Sequence, residues 1–138
     1  MLSKNAKVES IRRIPLFAGC SKRELAEVAV IADELRFEPG TTLIRQGASG
    51  REFIVVIEGD VEVRKDGKTV PQRGDEEKFF GEIALLTGGP RNATVTTTSP
   101  VRALVITDRA FTRLLRDSPA IQAKVLRSLA ERLEPSAL

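Results

Sequence analysis

The segment Phe80–Val95 reads FGEIALLTGGPRNATV and is the most informative part of this 138-residue sequence. Glu82 follows directly after a glycine, and Arg91 comes nine residues later, after Gly-Gly-Pro. The run Glu82–Leu86 has good helix formers but is too short to be helical through propensity alone. A helix of one turn leaves its first backbone N–H groups without intrahelical acceptors, and these form a ready anion site. The two opposite charges therefore either pair with each other or both face a ligand.

The chemistry of the two charged residues points to a nucleotide if they face a ligand. The turn Gly88–Pro90 is expected to bring Arg91 back to the start of the short helix. A guanidinium offers planar, charge-assisted donors that match phosphate oxygens. A carboxylate next to a phosphate site suits the hydroxyl groups of a sugar. The alternative is a structural ion pair between Glu82 and Arg91, and spacing alone does not separate the two readings.

The flanking sequence predicts a compact β-structure. Between residues 35 and 106, short β-prone runs are separated by glycines at regular intervals. Asp66-Gly67 lies between two such runs and is a good hairpin turn. Many short strands at this spacing are typical of an all-β sandwich, roll or barrel.

Helices are predicted on both sides of the β-structure. Ser21 and Glu24 have the spacing of a capping box, and Ser118-Pro119 is a cap followed by proline at the first helical position. In the last helix an apolar stripe repeats every four residues before Pro135 ends it: Ile121, Val125, Leu129 and Leu133, with Leu126 beside them. We therefore expect one domain over residues 1–138, mainly β with flanking helices. The N-terminal helices span about 3–33, the β-roll about 35–106 and the C-terminal helices about 108–134.

Composition argues against several classes of function. The 22 basic residues are spread among 19 acidic ones, which indicates scattered surface charge rather than a face for nucleic acid. With no histidine and one cysteine, Cys20, neither an ordinary zinc site nor histidine-dependent catalysis can be assembled. We therefore predict no catalytic residues, no metal site, no cofactor and no enzymatic activity. A single cysteine and the lack of a signal peptide or long apolar run predict a cytoplasmic protein with no membrane contact.

The opening segment closely resembles the phosphate-binding cassette of cyclic nucleotide-binding domains. These domains occur in regulatory subunits of cAMP-dependent kinase, in cyclic nucleotide-gated channels and in bacterial regulators of the catabolite activator type. The family pattern is Phe-Gly-Glu, an apolar helical turn, a variable turn, and Arg-x-(Ala/Ser)-(Thr/Ser)-Val at the spacing seen here. The resemblance covers roughly residues 11 to 134, including the helix entry Pro15–Phe17 and the glycines at the expected turns: Gly40, Gly47, Gly59 and Gly67. It implies an antiparallel, jelly-roll-like β-roll with a short phosphate-binding helix.

The resemblance assigns roles to residues of the cassette. Arg91 would pair with the cyclic phosphate, and Glu82 would accept a hydrogen bond from the ribose 2′-hydroxyl. Backbone amides of Gly81, Ile83 and Ala84 would help to hold the phosphate and sugar.

Five further residues are implied as ligand contacts. Asn92, Ala93 and Thr94 follow the cassette arginine. Asn92 occupies a position where cGMP-preferring members often carry Thr or Ser, so cAMP is the favoured ligand and cGMP the alternative. Arg132 and Leu133 fall where some members place a base-contacting arginine and an apolar cap. The alternatives are that Thr94 and Arg132 face solvent and that Leu133 packs in the core.

One part of the chain departs from the family pattern. The approach to Phe-Gly-Glu, residues Gln72–Lys78, is more charged than in the family and is one residue longer.

The sequence therefore predicts a regulatory module that senses a cyclic nucleotide and closes its C-terminal helix on binding. The alternatives are a β-roll interaction module that binds no ligand, and a regulatory fragment of a larger effector protein. A DNA-binding regulator would carry a helix-turn-helix after the last helix, and the sequence has no room for one before Leu138. We therefore expect no direct contact with nucleic acid. The expected partner is an effector protein of unknown identity, and homodimerisation stays an open alternative.

Overall fold

The computed structural model describes residues 1–71, 79–81 and 89–131. The chain forms two compact units. One unit combines Met1–Ile31 with the segment from Arg109 onward, and the other is Ala32–Asp108. The boundaries between these units lie close to those predicted between the helical segments and the β-roll.

The unit Ala32–Asp108 consists of two antiparallel sheets of four strands each. The first sheet has the order β1-β8-β3-β6 and the second has the order β2-β7-β4-β5. The strands are β1 (Asp33–Phe37), β2 (Thr42–Ile44), β3 (Glu52–Glu58), β4 (Val61–Lys65), β5 (Lys68–Val70), β6 (Phe79–Phe80), β7 (Thr94–Thr97) and β8 (Val101–Thr107). The prediction of a mainly β fold with flanking helices and an antiparallel β-roll is confirmed.

The predicted hairpin at Asp66-Gly67 joins β4 to β5. Asp66 has φ 53° and Gly67 has φ 78°, the backbone conformation that two-residue hairpin turns require. The side chain of Gln46 fastens this turn, because its Nε2 donates to Oδ1 of Asp66 and its Oε1 accepts from the Asp66 N–H. The hairpin is thereby held in a defined position beside the loop that follows β2.

Strand β1 begins earlier than the sequence predicts. Helical character was expected to fade near Asp33 and β-structure to begin at Leu35, but Asp33 is already paired with Val105 of β8. The run Asp33–Phe37 is half exposed and has no strong β pattern of its own. All five of its residues pair with Val101–Val105 of β8, and this pairing rather than local preference sets its conformation.

The apolar core of this unit is drawn from both sheets. Valine and isoleucine dominate it, since β-branched side chains pack well on a pleated surface. The buried cluster comprises Ile44, Ile54, Val56, Val63, Val95, Val101, Ala103 and Val105.

The other unit is helical. Its elements are α1 (Lys4–Arg12), a 3-10 helix (Pro15–Phe17), α2 (Lys22–Val30), α3 (Asp108–Asp117) and α4 (Pro119–Glu131). The first residue of α3, Asp108, still belongs to the β-unit. The predicted capping box begins α2, with the Glu24 N–H donating to Ser21 Oγ and the Ser21 N–H donating to Glu24 Oε1. Proline occupies the first position of α4, as predicted.

Helix α4 buries a face that differs from the predicted stripe. Ile121 and Val125 are buried as expected, but the next buried residue is Ser128, whereas Leu129 is only half-buried. Ser128 Oγ donates to the carbonyl oxygen of Pro15, which satisfies the buried hydroxyl. Leu126 is 61% exposed. Of the predicted stripe, Ile121 and Val125 are buried, Leu129 is half-buried, and Leu133 lies outside the described residues.

Two further contacts lie within the helical unit, one between α4 and α2 and one between the 3-10 helix and α3. Lys124 forms an ion pair with Glu24. The rings of Phe17 and Phe111 meet edge to face at 6.2 Å between centroids. No helix within the described ranges is long and apolar enough to cross a membrane.

Candidate ligand-binding cleft

The backbone of Arg91 is fixed on both sides. Its N–H donates to the carbonyl oxygen of Ala48 at 3.0 Å, and its own carbonyl accepts from the N–H of Gly47 at 2.8 Å. An isolated β-bridge between Ser49 and Pro90 extends this pairing. The loop after β2 therefore determines where the side chain of Arg91 begins.

The guanidinium of Arg91 is buried and only partly satisfied. The residue is 8% exposed, and its Nη2 donates to the main-chain carbonyl of Glu52 at 2.6 Å. Among the described residues, Nη1 of Arg91 has no hydrogen-bond partner. A buried charged donor without an acceptor costs more than the roughly 1–3 kcal/mol of a neutral one. Nη1 is therefore the unsatisfied buried donor of this site.

Two glycines make room for the guanidinium. A Cβ on Gly50 would lie 1.8 Å from Nε of Arg91. A Cβ on Gly81 would lie 2.1 Å from Nη1 and 2.7 Å from the carbonyl oxygen of Glu52. Gly81 also has φ 91°, which a residue with a side chain rarely adopts. Glycine is thus required at both positions for Arg91 to reach Glu52.

Burial has an electrostatic consequence for Arg91. Desolvation lowers the pKa of its guanidinium, and the negative charge of Glu52 opposes this shift by raising it. Arginine begins so far above neutrality that the group stays charged. The charge is therefore held in a site that favours neutralisation by an anion.

A cleft of about 340 Å³ opens next to Arg91. Its apolar wall comes from four strands of the second sheet and from β6, through Ile44, Val63, Val70, Phe79, Phe80 and Val95. Its polar part is formed by Lys65, Arg91 and Asn92, with Gly81 and Ala93 beside them. The described lining therefore combines an apolar surface with two cations and contains no carboxylate.

The structure brings four of the predicted site residues together. Gly81, Arg91, Asn92 and Ala93 all line the cleft. Thr94 points elsewhere, because its Oγ1 accepts a hydrogen bond from the N–H of Gln46 at 2.9 Å and it is not part of the lining. The ligand contacts assigned to these five residues stay predictions.

The remaining predicted site residues lie outside the described residues. They are Glu82, Ile83, Ala84, Arg132 and Leu133. The short helix Glu82–Leu86, the charged lead-in 72–78 and the helix end at Pro135 lie there too. The alternative of an ion pair between Glu82 and Arg91 therefore also stays a prediction.

Sequence reasoning missed three participants in this site. Glu52 contributes its main-chain carbonyl, which every residue type possesses, so no sequence signal could have identified it. The close approach of Gly50 to Arg91 depends on the packing of two segments that are distant in sequence. Lys65 could have been suspected, because it lies two residues after the buried Val63 and therefore on the same face of β4.

The profile of the cyclic nucleotide-binding domain family matches residues 34–118. Similar proteins include the cAMP-dependent protein kinase regulatory subunit of Mycosarcoma maydis, which is 38% identical over 110 residues. The regulatory subunit of the same name from Colletotrichum orbiculare is 31% identical over 106 residues. These matches cover 74% and 76% of this chain but only 21% and 27% of the two relatives.

A solved structure is similar in fold as well as in sequence. It is the N-terminal domain of a transcriptional regulator from Streptomyces coelicolor A3(2), with a TM-score of 0.79 and 32% identity. The similarity covers 89% of this chain and 88% of that one. The family profile, the relatives and the fold agree with one another. The chain belongs to the cyclic nucleotide-binding domain family.

Proposed function

We propose that this chain is a regulatory module that senses a cyclic nucleotide, with cAMP as the favoured ligand and cGMP as the alternative. The observation that carries the proposal is the buried Nη1 of Arg91, a residue that lines the cleft, because this atom has no partner among the described residues. A cyclic phosphate supplies the acceptor and the negative charge that this group lacks. Its binding thus removes the desolvation cost of the guanidinium while forming a charge-assisted hydrogen bond.

The cleft also suits the rest of a nucleotide. Its volume of about 340 Å³ lies within the range of small-molecule sites, roughly 300–1,000 Å³. The apolar wall offers contact to the faces of a base and a sugar. In the proposed complex Glu82 accepts from the ribose 2′-hydroxyl, and the amides of Gly81, Ile83 and Ala84 hold the phosphate and sugar.

The preference for cAMP rests on two supports. Asn92, which lines the cleft, stands where cGMP-preferring members of the family often carry a hydroxyl. The similar proteins from two fungi are named as regulatory subunits of cAMP-dependent kinase. We propose roles for Ala93 and Thr94 beside the phosphate, and for Arg132 and Leu133 beside the base.

Calorimetric titration with cAMP and with cGMP tests the proposal. Arg91→Ala should lose at least about 2 kcal/mol of binding free energy, because a buried charge pair with the ligand is removed. Arg64→Ala is the matched control, since Arg64 is exposed and pairs with Glu62. A wild-type chain that binds neither nucleotide at high micromolar concentration contradicts the proposal and favours a β-roll interaction module without a ligand.

The output of the module is proposed to be closure of the C-terminal helix. A ligand shifts such an equilibrium only through its differential affinity for the closed state. Amide hydrogen exchange along Pro119–Glu131 should therefore slow when cAMP is added. Exchange that is the same with and without bound ligand rules this output out while leaving the binding function intact.

The module is proposed to act on a separate effector in the cytoplasm rather than to catalyse a reaction itself. A protein kinase is the first effector to test, because the named relatives are kinase regulatory subunits. A second candidate is regulation of transcription, favoured by the similarity to the N-terminal domain of a transcriptional regulator. A kinase assay and a DNA-binding assay on proteins that carry this chain separate the two.

A further inference from the structure

Lys65 is one of the residues that line the cleft next to Arg91. It is the last residue of β4, whose neighbouring residue Arg64 is paired with Thr94 of β7. Continuing this antiparallel register by one residue places Lys65 opposite Ala93, two residues from Arg91 in sequence. Lys65 and Ala93 both line the cleft. The two cations of the cleft therefore come from the end of β4 and from the segment that leads into the neighbouring β7.

Among the described residues, no acidic side chain neutralises the charge of Lys65. The acidic residues nearest in sequence are engaged elsewhere, because Glu62 pairs with Arg64 and Asp66 accepts from Gln46. Among the described residues Lys65 has no ion pair, and the described lining of the cleft contains no carboxylate.

A third cation, Lys68, lies close to Lys65 and repels it as long as no anion is bound nearby. Lys68 of β5 is directly paired with Lys65 across the hairpin. Like charges in directly opposite positions of an antiparallel pair are destabilising. Lys68 does not belong to the described lining of the cleft, whereas Lys65 does. The hairpin thus presents one lysine to the cleft and keeps a second lysine of the same charge beside it.

We propose that Lys65 is a second cation of the anion site, and that its ammonium binds an exocyclic oxygen of the phosphate held by Arg91. The inference rests on the proposed function, because it deepens how the cyclic phosphate is recognised. Adjacent strands are about 4.8 Å apart, and the four-carbon stem of lysine spans that distance. Lys65 at the end of β4 and Arg91 in the segment before β7 would then bind the two exocyclic oxygens of the phosphate.

The first test compares dissociation constants for cAMP between four proteins. Lys65→Gln should raise the dissociation constant about tenfold, as expected for one charge-assisted hydrogen bond. Lys65→Arg should restore most of the affinity. Lys68→Gln is the matched control, because it removes the same charge from the same hairpin outside the cleft, and it should change the constant by less than about twofold. Both lysines are exposed, and thermal melting verifies that the variants fold.

The second test assigns the contact to an atom of the ligand. The two phosphorothioate diastereomers of cAMP each carry sulfur in place of one exocyclic oxygen. One diastereomer should lose affinity for the wild type and lose clearly less for Lys65→Gln, because the contact is already absent there. Equal sulfur effects in both proteins for both diastereomers overturn the contact.

The outcomes separate this inference from the proposed function. If the wild type binds no cyclic nucleotide, the proposed function itself fails. If the wild type binds and Lys65→Gln binds equally well, only the role of Lys65 fails. A loss for Lys68→Gln as large as that for Lys65→Gln assigns the effect to general electrostatic attraction and also overturns the contact.

Discussion

The guanidinium of Arg91 occupies the space where a side chain at position 81 would begin, and Gly81 leaves that space free. A Cβ on Gly81 would come within 2.1 Å of Nη1 of Arg91. The atom that it would meet is the one buried donor of this side chain that has no partner among the described residues. The glycine of Phe-Gly-Glu therefore determines whether the arginine can present a free N–H to the cleft.

Gly81→Ala should weaken ligand binding and also reduce stability. The new Cβ displaces the guanidinium from the carbonyl of Glu52, and the dissociation constant for cAMP should rise by about tenfold or more. The positive φ adds about 1–2 kcal/mol of strain. Gly40→Ala is the matched control, because Gly40 has φ 82° but a Cβ at this position would have no atom within 4 Å. It should show a similar loss of stability by thermal melting, and unchanged binding in calorimetry.

Arg91→Met should abolish binding while leaving the ligand-free protein about as stable as the wild type. The substitution removes a buried charge with an unsatisfied donor, at the cost of one hydrogen bond to Glu52. Replacing a buried ionic group by an apolar one of similar size is often neutral or stabilising. We expect the free energy of unfolding in urea to stay within about 1 kcal/mol of the wild-type value. A loss of about 3 kcal/mol or more would indicate a structural role for Arg91 instead.

Thr97→Val should destabilise the β-unit without altering the cleft. Thr97 is 1% exposed, and its hydroxyl accepts from the N–H of Thr41 and donates to the carbonyl of Glu38. Losing both bonds in a buried position should cost about 1–3 kcal/mol in urea denaturation. Thr96→Val on the same strand is the control and should stay within about 0.5 kcal/mol of the wild type. Equal effects of the two substitutions would contradict the role of the Thr97 hydroxyl.

Acid should weaken the helical unit through Glu24. The hydrogen bond from Lys124, followed by that from the backbone N–H of Ser21, lowers the pKa of the Glu24 carboxyl. Because the folded pKa is lowered, this stabilisation is present above the ordinary pKa of about 4.3 and is lost as the pH falls through the folded value. Urea midpoints measured between about pH 3 and 7 should therefore fall less steeply in Glu24→Gln than in the wild type.

The partner variant provides the check on this pH dependence. Lys124→Met removes the hydrogen bond that contributes most to the lowered pKa of Glu24. The urea midpoint of this variant should therefore also fall less steeply than that of the wild type as the pH is lowered. A variant that carries both changes should be no flatter than Glu24→Gln alone, because both act on one ion pair. Additive flattening would show that another carboxyl is responsible.

The sequence was sufficient wherever a structure depends on local chemistry. The hairpin at Asp66-Gly67 needs a positive φ, and the start of α2 needs a Ser21–Glu24 capping box, so both could be predicted from residue types. The cassette Phe80–Val95 identified the family for the same reason, because the family pattern consists of residue types at fixed spacing, including a turn followed by an arginine. These features are confirmed by the turn geometry, the capping bonds and the family match.

Only the tertiary structure decided which distant groups meet. The partner of Arg91 is a main-chain carbonyl, which has no signature in the sequence. The third buried residue of α4 is Ser128 rather than Leu129, because a carbonyl of Pro15 lies opposite the hydroxyl. Lys65 lines the same cleft as Arg91 because β4 pairs with β7, the strand that follows the cassette arginine. Side-chain periodicity determines which face of an element is apolar, whereas long-range register and packing determine what that face touches.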